Sequence, residues 1–499
     1  MPIRSVLAKP LAAWVVSKRR KWENTPADIQ NFWFKKLIDS ARNTEFGRDH
    51  FFRDIHTQAD FRQAVPLRDY EALKPYIEKV VHGETDILWP GKPLYFAKTS
   101  GTTSGVKYIP LSKESIGFHI NGARDALLSY VHETGRSEFL DKKLIFLSGS
   151  PEMILKHGIH VGRLSGIVNH HVPGYLRTNQ LPSWETNCIE DWETKLDKII
   201  DETLLQSMSL ISGIPPWVQM YFDRIIARTG KKIKDVFPDF QLFVYGGVNF
   251  EPYRAKLYDS IGKKIDSIET YPASEGFIAY QDTQTQPGLL LLLNQGVYYE
   301  FVPVEEFFTE NPRRLSVAEV EIGKNYAIIM NTNAGLWGYN IGDTVKFVSK
   351  DPLRIVVTGR IKHFISAFGE HVIGEEVEKA MAYAINRQPE TQLVEFTVAP
   401  NVTPAEGGLP YHEWLIEFAS PPQNLEQFAA DLDEELTRLN VYYDDLITGN
   451  ILQCLKIKVL RKGAFIDYMK AQGKLGGQNK VPRLSNDRKI AEELRHFLN

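Results

Sequence analysis

The sequence predicts an α/β protein: a large body of sheets and helices over residues 1–360, followed by a smaller α+β domain over residues 361–499. Three observations lead there. Strand-like apolar runs alternate with helical patterns through the body, as in layered α/β proteins. The scale of that pattern changes after Gly359, and 499 residues are more than one hydrophobic core normally serves.

In the body, Lys143 to Ser148, Gln241 to Tyr245, Lys264 to Thr270, Val297 to Val302, Ala327 to Asn331 and Arg354 to Thr358 read as strands. Ser112 to Val131 reads as a helix opened by Ser-Lys-Glu-Ser. Trp192 to Leu205 places Leu196, Ile199, Ile200 and Leu204 on one helical stripe. Past Gly359, a helix over Glu375 to Asn386 carries Val377, Met381 and Ile385 on one face. Strands at Leu393 to Ala399 and His412 to Phe418, a helix at Leu425 to Leu439, a strand at Leu455 to Leu460 and a helix at Ala464 to Ala471 complete the second domain. Its length of about 140 residues is typical for a domain.

Composition narrows the function. Hydrophobic residues at 43% and charged residues at 24% are a globular mix, and a net charge of -3 lacks the basic excess of a nucleic-acid binder. Two distant cysteines, Cys188 and Cys454, exclude a disulfide framework or a zinc cluster and fit a reducing, cytoplasmic setting. No run of 18 apolar residues offers a membrane span. The apolar stretch Leu11 to Val16 is too short for a signal peptide and has its heaviest charge, Lys18 to Lys21, after it. It reads as a helix packed on the domain with a solvated basic end, in preference to an amphipathic helix on a membrane. No obligate protein partner is evident.

The sharpest motif is Thr99-Ser100-Gly101-Thr102-Thr103-Ser104-Gly105-Val106-Lys107. Glycines let several N–H groups converge, the hydroxyls add donors and Lys107 adds a charge, which together make a phosphate cradle. It is not a P-loop of the Walker type, because Val106 separates Gly105 from Lys107 and Tyr108 follows. Tyr245-Gly246-Gly247 ends a strand where a flat ring could approach, Gly247 being the nearest backbone, although a plain turn explains the glycines equally. Tyr271-Pro272-Ala273-Ser274-Glu275 offers an aromatic face and a carboxylate able to hold Mg²⁺. Gly338-Tyr339-Asn340-Ile341-Gly342-Asp343 reads as a glycine turn whose Asp343 accepts from ribose hydroxyls. For an organic acid, Arg124 and the segment Ile211 to Trp217 are candidates, with Ile211 and Trp217 among the substrate-binding residues. His157, His160, His170 and His171 fall among glycines and prolines and read as loop histidines without a metal.

In this order the motifs resemble those of the adenylate-forming superfamily of acyl ligases, luciferases and peptide-synthetase adenylation domains. The chain most resembles the auxin-responsive Gretchen Hagen family of acyl acid amido synthetases, over essentially its full length. That family's Tyr-x-x-Ser-Glu and Tyr-x-x-Gly-Asp motifs are matched by Tyr271 to Glu275, with Ser274, and by Tyr339 to Asp343. The resemblance implies an N-terminal adenylating domain that uses ATP and Mg²⁺, and a mobile C-terminal lid. It makes Gly359-Arg360-Ile361-Lys362 the hinge, with Arg360 and Lys362 in the nucleotide-binding set. Gln478-Asn479-Lys480-Val481-Pro482-Arg483 resembles the family's Gln-x-Lys-x-Pro-Arg lid segment, which implies that Lys480 is catalytic beside Lys107. The implied reaction joins a carboxylic acid to an amino acid through an acyl-adenylate. Phe364 to His371 contains Gly369 and looks more like the lid motif of acyl-CoA ligases, so CoA or a carrier thiol stays the alternative acceptor.

Overall fold

The computed structural model describes residues 3–100, 106–172, 174–247, 250–361, 364–365, 370, 372–405, 407–449, 451–475, 480–485 and 487–499. Among these the chain divides into two compact units. One holds Met1–Gly213, Phe237–Gly247 and Ile265–Val357; the other holds Ile214–Val236, Val248–Lys264 and Thr358–Asn499. The second unit thus contains two segments that the sequence pattern groups with the body.

Runs of β-branched and aromatic residues build an eleven-stranded sheet in the first unit. Its order is Val297–Pro303, Asn325–Thr332, Tyr339–Lys350, Leu353–Arg360, Leu289–Leu291, Gly276–Tyr280, Asp266–Ala273, Leu242–Gly246, Met208–Ser212, Lys143–Phe146 and Gln180–Leu181. The last five strands pair in parallel, whereas Asp266–Ala273 turns back on Gly276–Tyr280 as an antiparallel hairpin. The sheet therefore changes character at that hairpin. A smaller sheet runs in the order Val106–Leu111, Tyr95–Ser100, Ile159–Gly162 and Ile154–Lys156.

Two cores hold this unit. Helices Pro26–Ala41 and Tyr70–Val81 bury Phe34, Leu37, Leu73 and Ile77 with Tyr298, Phe301, Met330 and Trp337. Helix Ile3–Glu23 buries Ala8, Ala12 and Val15 with Ala126 and Tyr130 of helix Lys113–Thr134, and with Leu210, Leu242 and Ile268 of the sheet. Ser112 caps the latter helix by accepting from the Ser115 N–H at 3.0 Å, and Gly135 ends it at φ +72°, a backbone angle open to glycine.

The second unit carries a three-stranded sheet, Gln392–Asn401, Tyr411–Ser420 and Lys456–Leu460. Helices Gly374–Arg387 and Leu425–Leu439 lay Val377, Met381, Phe428 and Leu432 on Phe396 and Trp414, whose rings stack 5.7 Å apart. The strands and helices expected on both sides of Gly359 are present with ends shifted by a few residues.

Candidate active site

Strands Tyr95–Ser100 and Val106–Leu111 pair antiparallel, with Thr99 opposite Lys107 and Ser100 opposite Val106. Gly101, Thr102 and Thr103, which the sequence assigns to the phosphate cradle, lie outside the described residues. Half-buried Lys107 places its Nζ 5.5 Å from the ring centroid of Tyr70, a cation–π distance. Tyr70 opens helix Tyr70–Val81, where Asp69 caps by accepting from the Ala72 N–H at 3.2 Å. The Tyr70 hydroxyl accepts from the Tyr108 N–H at 2.9 Å. Lys107 is thus set against a ring that its own strand holds in place.

The next two segments owe their geometry to strand pairing. In the hairpin, Ala273 pairs with Gly276, leaving Ser274 and Glu275 as a two-residue tip. Tyr339 to Asp343, read from the sequence as a turn, instead begins the strand Tyr339–Lys350. Asn340 stands opposite Ile329 and Thr344 opposite Ala327, so Ile341, Gly342 and Asp343 together face the single residue Ile328. Such a bulge re-aims side chains, and Gly342 accommodates it at φ +90°.

The result is a crossed pair of contacts. The Tyr271 hydroxyl donates to Asp343 Oδ2 at 2.6 Å, across 72 sequence positions. The Tyr339 hydroxyl sits beside the Glu275 carboxylate, whose negative charge acts on it. Each segment's tyrosine therefore lies beside the other segment's carboxylate, and Tyr271 orients Asp343 through its hydrogen bond. Burial, followed by the negative charge of Glu275, pushes the Tyr339 hydroxyl well above its usual pKa, which keeps it a donor. Hydrogen bonds to ionised acceptors are about twice as strong as neutral ones.

A third segment is laced to this bulge. The Arg68 N–H donates to Gly338 O and the Asn340 N–H to Arg68 O, both at 2.8 Å. Gly338 sits at φ +58°, and a Cβ there would lie 2.5 Å from Pro66 O, so only glycine fits. This stitching brings Asp69 and Tyr70 into the electrostatic surroundings of Tyr339. The sequence reading missed Arg68, Asp69 and Tyr70; the Asp cap before an apolar helical run was the available signal.

Glu275 suits Mg²⁺. A carboxylate offers about four lone-pair sites, and Mg²⁺ typically takes one or two carboxylates with phosphate oxygens and water. Among the described residues no group of three or more His, Cys, Asp or Glu side chains forms an all-protein metal site.

The remaining sequence candidates lie on other elements. Gly247 follows strand Leu242–Gly246 at φ +84°. Its neighbour Gly246 is explained by packing rather than by a ring, since a Cβ there would lie 2.4 Å from Thr270 O. Ile211 is fully buried in its strand, flanked by Lys143–Phe146 and Leu242–Gly246, and serves the core. Arg124 is 45% exposed on its helix and bonds Asp125 through Nε at 2.8 Å, an ion pair at the surface. Trp217 is buried in the first turn of helix Pro215–Thr229 in the second unit. The His170 and His171 rings bond Pro151 O at 2.7 Å and the Tyr95 hydroxyl at 2.9 Å.

In the second unit, Arg360 is exposed at the end of strand Leu353–Arg360, and Lys362 lies outside the described residues. Lys480 is exposed on an irregular segment whose continuation is anchored firmly. The Val398 N–H donates to Arg483 O at 2.9 Å, the Ser485 N–H to Val398 O at 3.0 Å and Thr397 Oγ1 to Pro482 O at 2.8 Å. Arg483, 11% exposed, donates through Nε to Glu378 at 3.1 Å and through its other nitrogens to Glu395 and the Tyr253 hydroxyl. Its guanidinium lies 4.7 Å from the Phe396 centroid. Burial opposes its charge, but Glu395, Tyr253 and Glu378 outweigh that and raise its pKa further. This clamp, three residues beyond Lys480, was not read from the sequence.

Residues 16–196, 290–360 and 375–489 match the GH3 family N-terminal, central and C-terminal domains. A jasmonoyl–L-amino acid synthetase of Oryza sativa subsp. japonica is 22% identical, covering 92% of this chain and 92% of its own. An indole-3-acetic acid-amido synthetase of Arabidopsis thaliana is also 22% identical, covering 93% and 90%. The solved structure of a GH3.15 acyl acid amido synthetase superposes with a TM-score of 0.78 at 18% identity, over 97% of this chain and 96% of its own. The three family matches together take in most of the chain on both sides of Gly359. The chain belongs to the GH3 family.

Proposed function

We propose that the chain is an ATP-dependent acyl acid amido synthetase, which adenylates a carboxylic acid and then transfers the acyl group to the amine of an amino acid. The observation that carries this reading is the crossed pairing of Tyr271 with Asp343 and of Tyr339 with Glu275. It joins the two segments that would bind ribose and phosphate, and family membership supports the reaction class.

In the first half-reaction a carboxylate oxygen of the acid attacks the α-phosphorus of ATP. The bond to pyrophosphate breaks and an acyl-adenylate remains. In the second, the amine attacks the acyl carbon and loses a proton, and AMP departs with the former carboxylate oxygen. Thr99, Ser100, Gly101, Thr102, Thr103 and Lys107 hold the triphosphate, with Ser274 beside Glu275. Tyr271 orients Asp343 to accept from the ribose hydroxyls, while Gly247 and Tyr339 complete the nucleotide site. Mg²⁺ held by Glu275 supplies neutralisation of the phosphate charge. Lys480 is assigned to the charge that builds on the α-phosphate and pyrophosphate. Trp217 is assigned to the acid. Residues 361–499 act as the lid, with Arg360 and Lys362 at its hinge. Cys188 and Cys454 are both free thiols, which fits a cytoplasmic enzyme.

The test is pyrophosphate release screened over aryl, indolyl and fatty acids, followed by the productive acid offered with amino acids or with CoA. Acid-dependent pyrophosphate release followed by consumption of an amino acid supports the reading. Consumption of CoA in its place makes the chain an acid–thiol ligase, and no acid-dependent release with any class refutes adenylation.

A further inference from the structure

Helix Ile3–Glu23 has two apolar faces. Ala8, Ala12 and Val15 point into the first unit. Along the other side Val6, Leu7, Leu11 and Trp14 are 42% to 63% exposed, and Pro10 and Ala13 are exposed between them. A surface helix normally turns polar residues outward, so an apolar outer face over its first turns needs a reason. Its charges supply one. The exposed ionisable residues of this helix are Lys9, Lys18, Arg20 and Lys21, all cationic. Its acid, Glu23, is taken by Arg19 at 2.5 Å within the helix.

Leu7, Leu11, Trp14 and Lys18 succeed one another at i, i+4 and i, i+3 spacings and form one stripe. Lys18 Nζ lies 3.8 Å from the Trp14 ring centroid, so the stripe passes from leucines through an amphipathic ring to a cation. Tryptophan and lysine in that sequence suit a boundary where apolar tails give way to charged headgroups. A second copy of the chain is a poor occupant. Two-fold pairing of the same face sets each cationic end either against its twin or against an apolar half, and neither arrangement pairs the charge. No helix among the described residues is long and apolar enough to cross a membrane, so contact through this face is peripheral.

We propose that the outer face of helix Ile3–Glu23 docks the enzyme on an anionic lipid surface, with Leu7, Leu11 and Trp14 entering the headgroup boundary and Lys9, Lys18, Arg20 and Lys21 meeting the negative charge. The test is co-sedimentation of the full chain with phosphatidylcholine vesicles, with and without about one-third phosphatidylglycerol. The chain should pellet with the anionic vesicles alone and be released by salt. Leu7→Glu with Leu11→Glu should weaken binding at least about tenfold, and Lys18→Gln with Lys21→Gln about fivefold per charge. All four residues are exposed, so unchanged thermal unfolding shows that loss of binding is not loss of fold. Failure of the wild-type chain to bind anionic vesicles overturns the proposal, as does binding that neither variant alters. Concentration-dependent self-association abolished by Leu7→Glu with Leu11→Glu, without vesicle binding, overturns it in favour of an interface between copies.

Discussion

Tyr271→Phe removes one oxygen and leaves the ring in place. In the folded chain that hydroxyl donates to Asp343 Oδ2 at 2.6 Å, and Tyr271 is only 8% exposed. A hydrogen bond to an ionised group contributes about 1.5–3 kcal/mol, and water has little access to replace it here. If that energy holds Asp343 in the rotamer that receives the ribose, its loss weakens nucleotide binding by about 10- to 150-fold, taking about 1.4 kcal/mol per tenfold. The assay is calorimetric titration with AMP, beside the ATP dependence of acid-stimulated pyrophosphate release. Asp343→Ala should lose as much affinity or more, and the double variant should bind no worse than Asp343→Ala alone, because the phenol acts through the carboxylate. A Tyr271→Phe affinity within about twofold of wild type, or losses that add in the double variant, would refute the reasoning.

Three further predictions concern other parts of the molecule. Lys480→Ala should slow pyrophosphate release on the order of 100-fold or more with ATP affinity kept, as for loss of a transition-state donor; unchanged release removes Lys480 from the chemistry. Arg483→Lys keeps the charge but not the fork that reaches Glu378, Glu395 and Tyr253, and should slow the same step by displacing the Lys480 segment. Combined with Lys480→Ala it should add no further loss, and an additive loss means Arg483 acts elsewhere. The third concerns His119, fully buried on helix Lys113–Thr134 with neither ring nitrogen hydrogen-bonded, whose pKa burial pushes down to about 4 from 6.5. Between those values the unfolded chain takes up a proton that the folded chain refuses, so stability falls as pH drops from 6.5 and levels off below 4. The loss is about 3 kcal/mol at about 1.4 kcal/mol per pH unit. His119→Leu should abolish that slope in denaturant unfolding at pH 7 and at acid pH, and a slope equal to wild type contradicts it.

What the sequence could and could not reveal follows from the range of each interaction. Ser112 as a helix cap, the stripe Leu196, Ile199 and Ile200, and the strands around Phe396 and Trp414 are local patterns and were legible. The bulge at Ile341–Asp343 was not, because it exists only as a count against Ile328 on another strand. The same segment on its own looks like a glycine turn. Tyr271 and Asp343 were each picked out by chemistry, yet nothing local indicates that one donates to the other. At Gly246, close approach by a ligand ring and by the Thr270 carbonyl ask for the same residue, so the sequence alone does not separate them. Arg124 has a partner one residue away, Asp125, which a search for distant contacts overlooks. The segments Ile214–Val236 and Val248–Lys264 join the second unit by long-range packing, which helical periodicity does not encode.

Adenylation itself is tested most directly by isotope transfer. The productive acid, labelled with ¹⁸O in its carboxylate, is incubated with the full chain, ATP and the amino acid acceptor, and the products are weighed by mass spectrometry. Attack of the carboxylate on the α-phosphorus predicts one ¹⁸O in each AMP formed and none in pyrophosphate. Label in inorganic phosphate, with ADP as the co-product, would mean an acyl phosphate and would contradict the account.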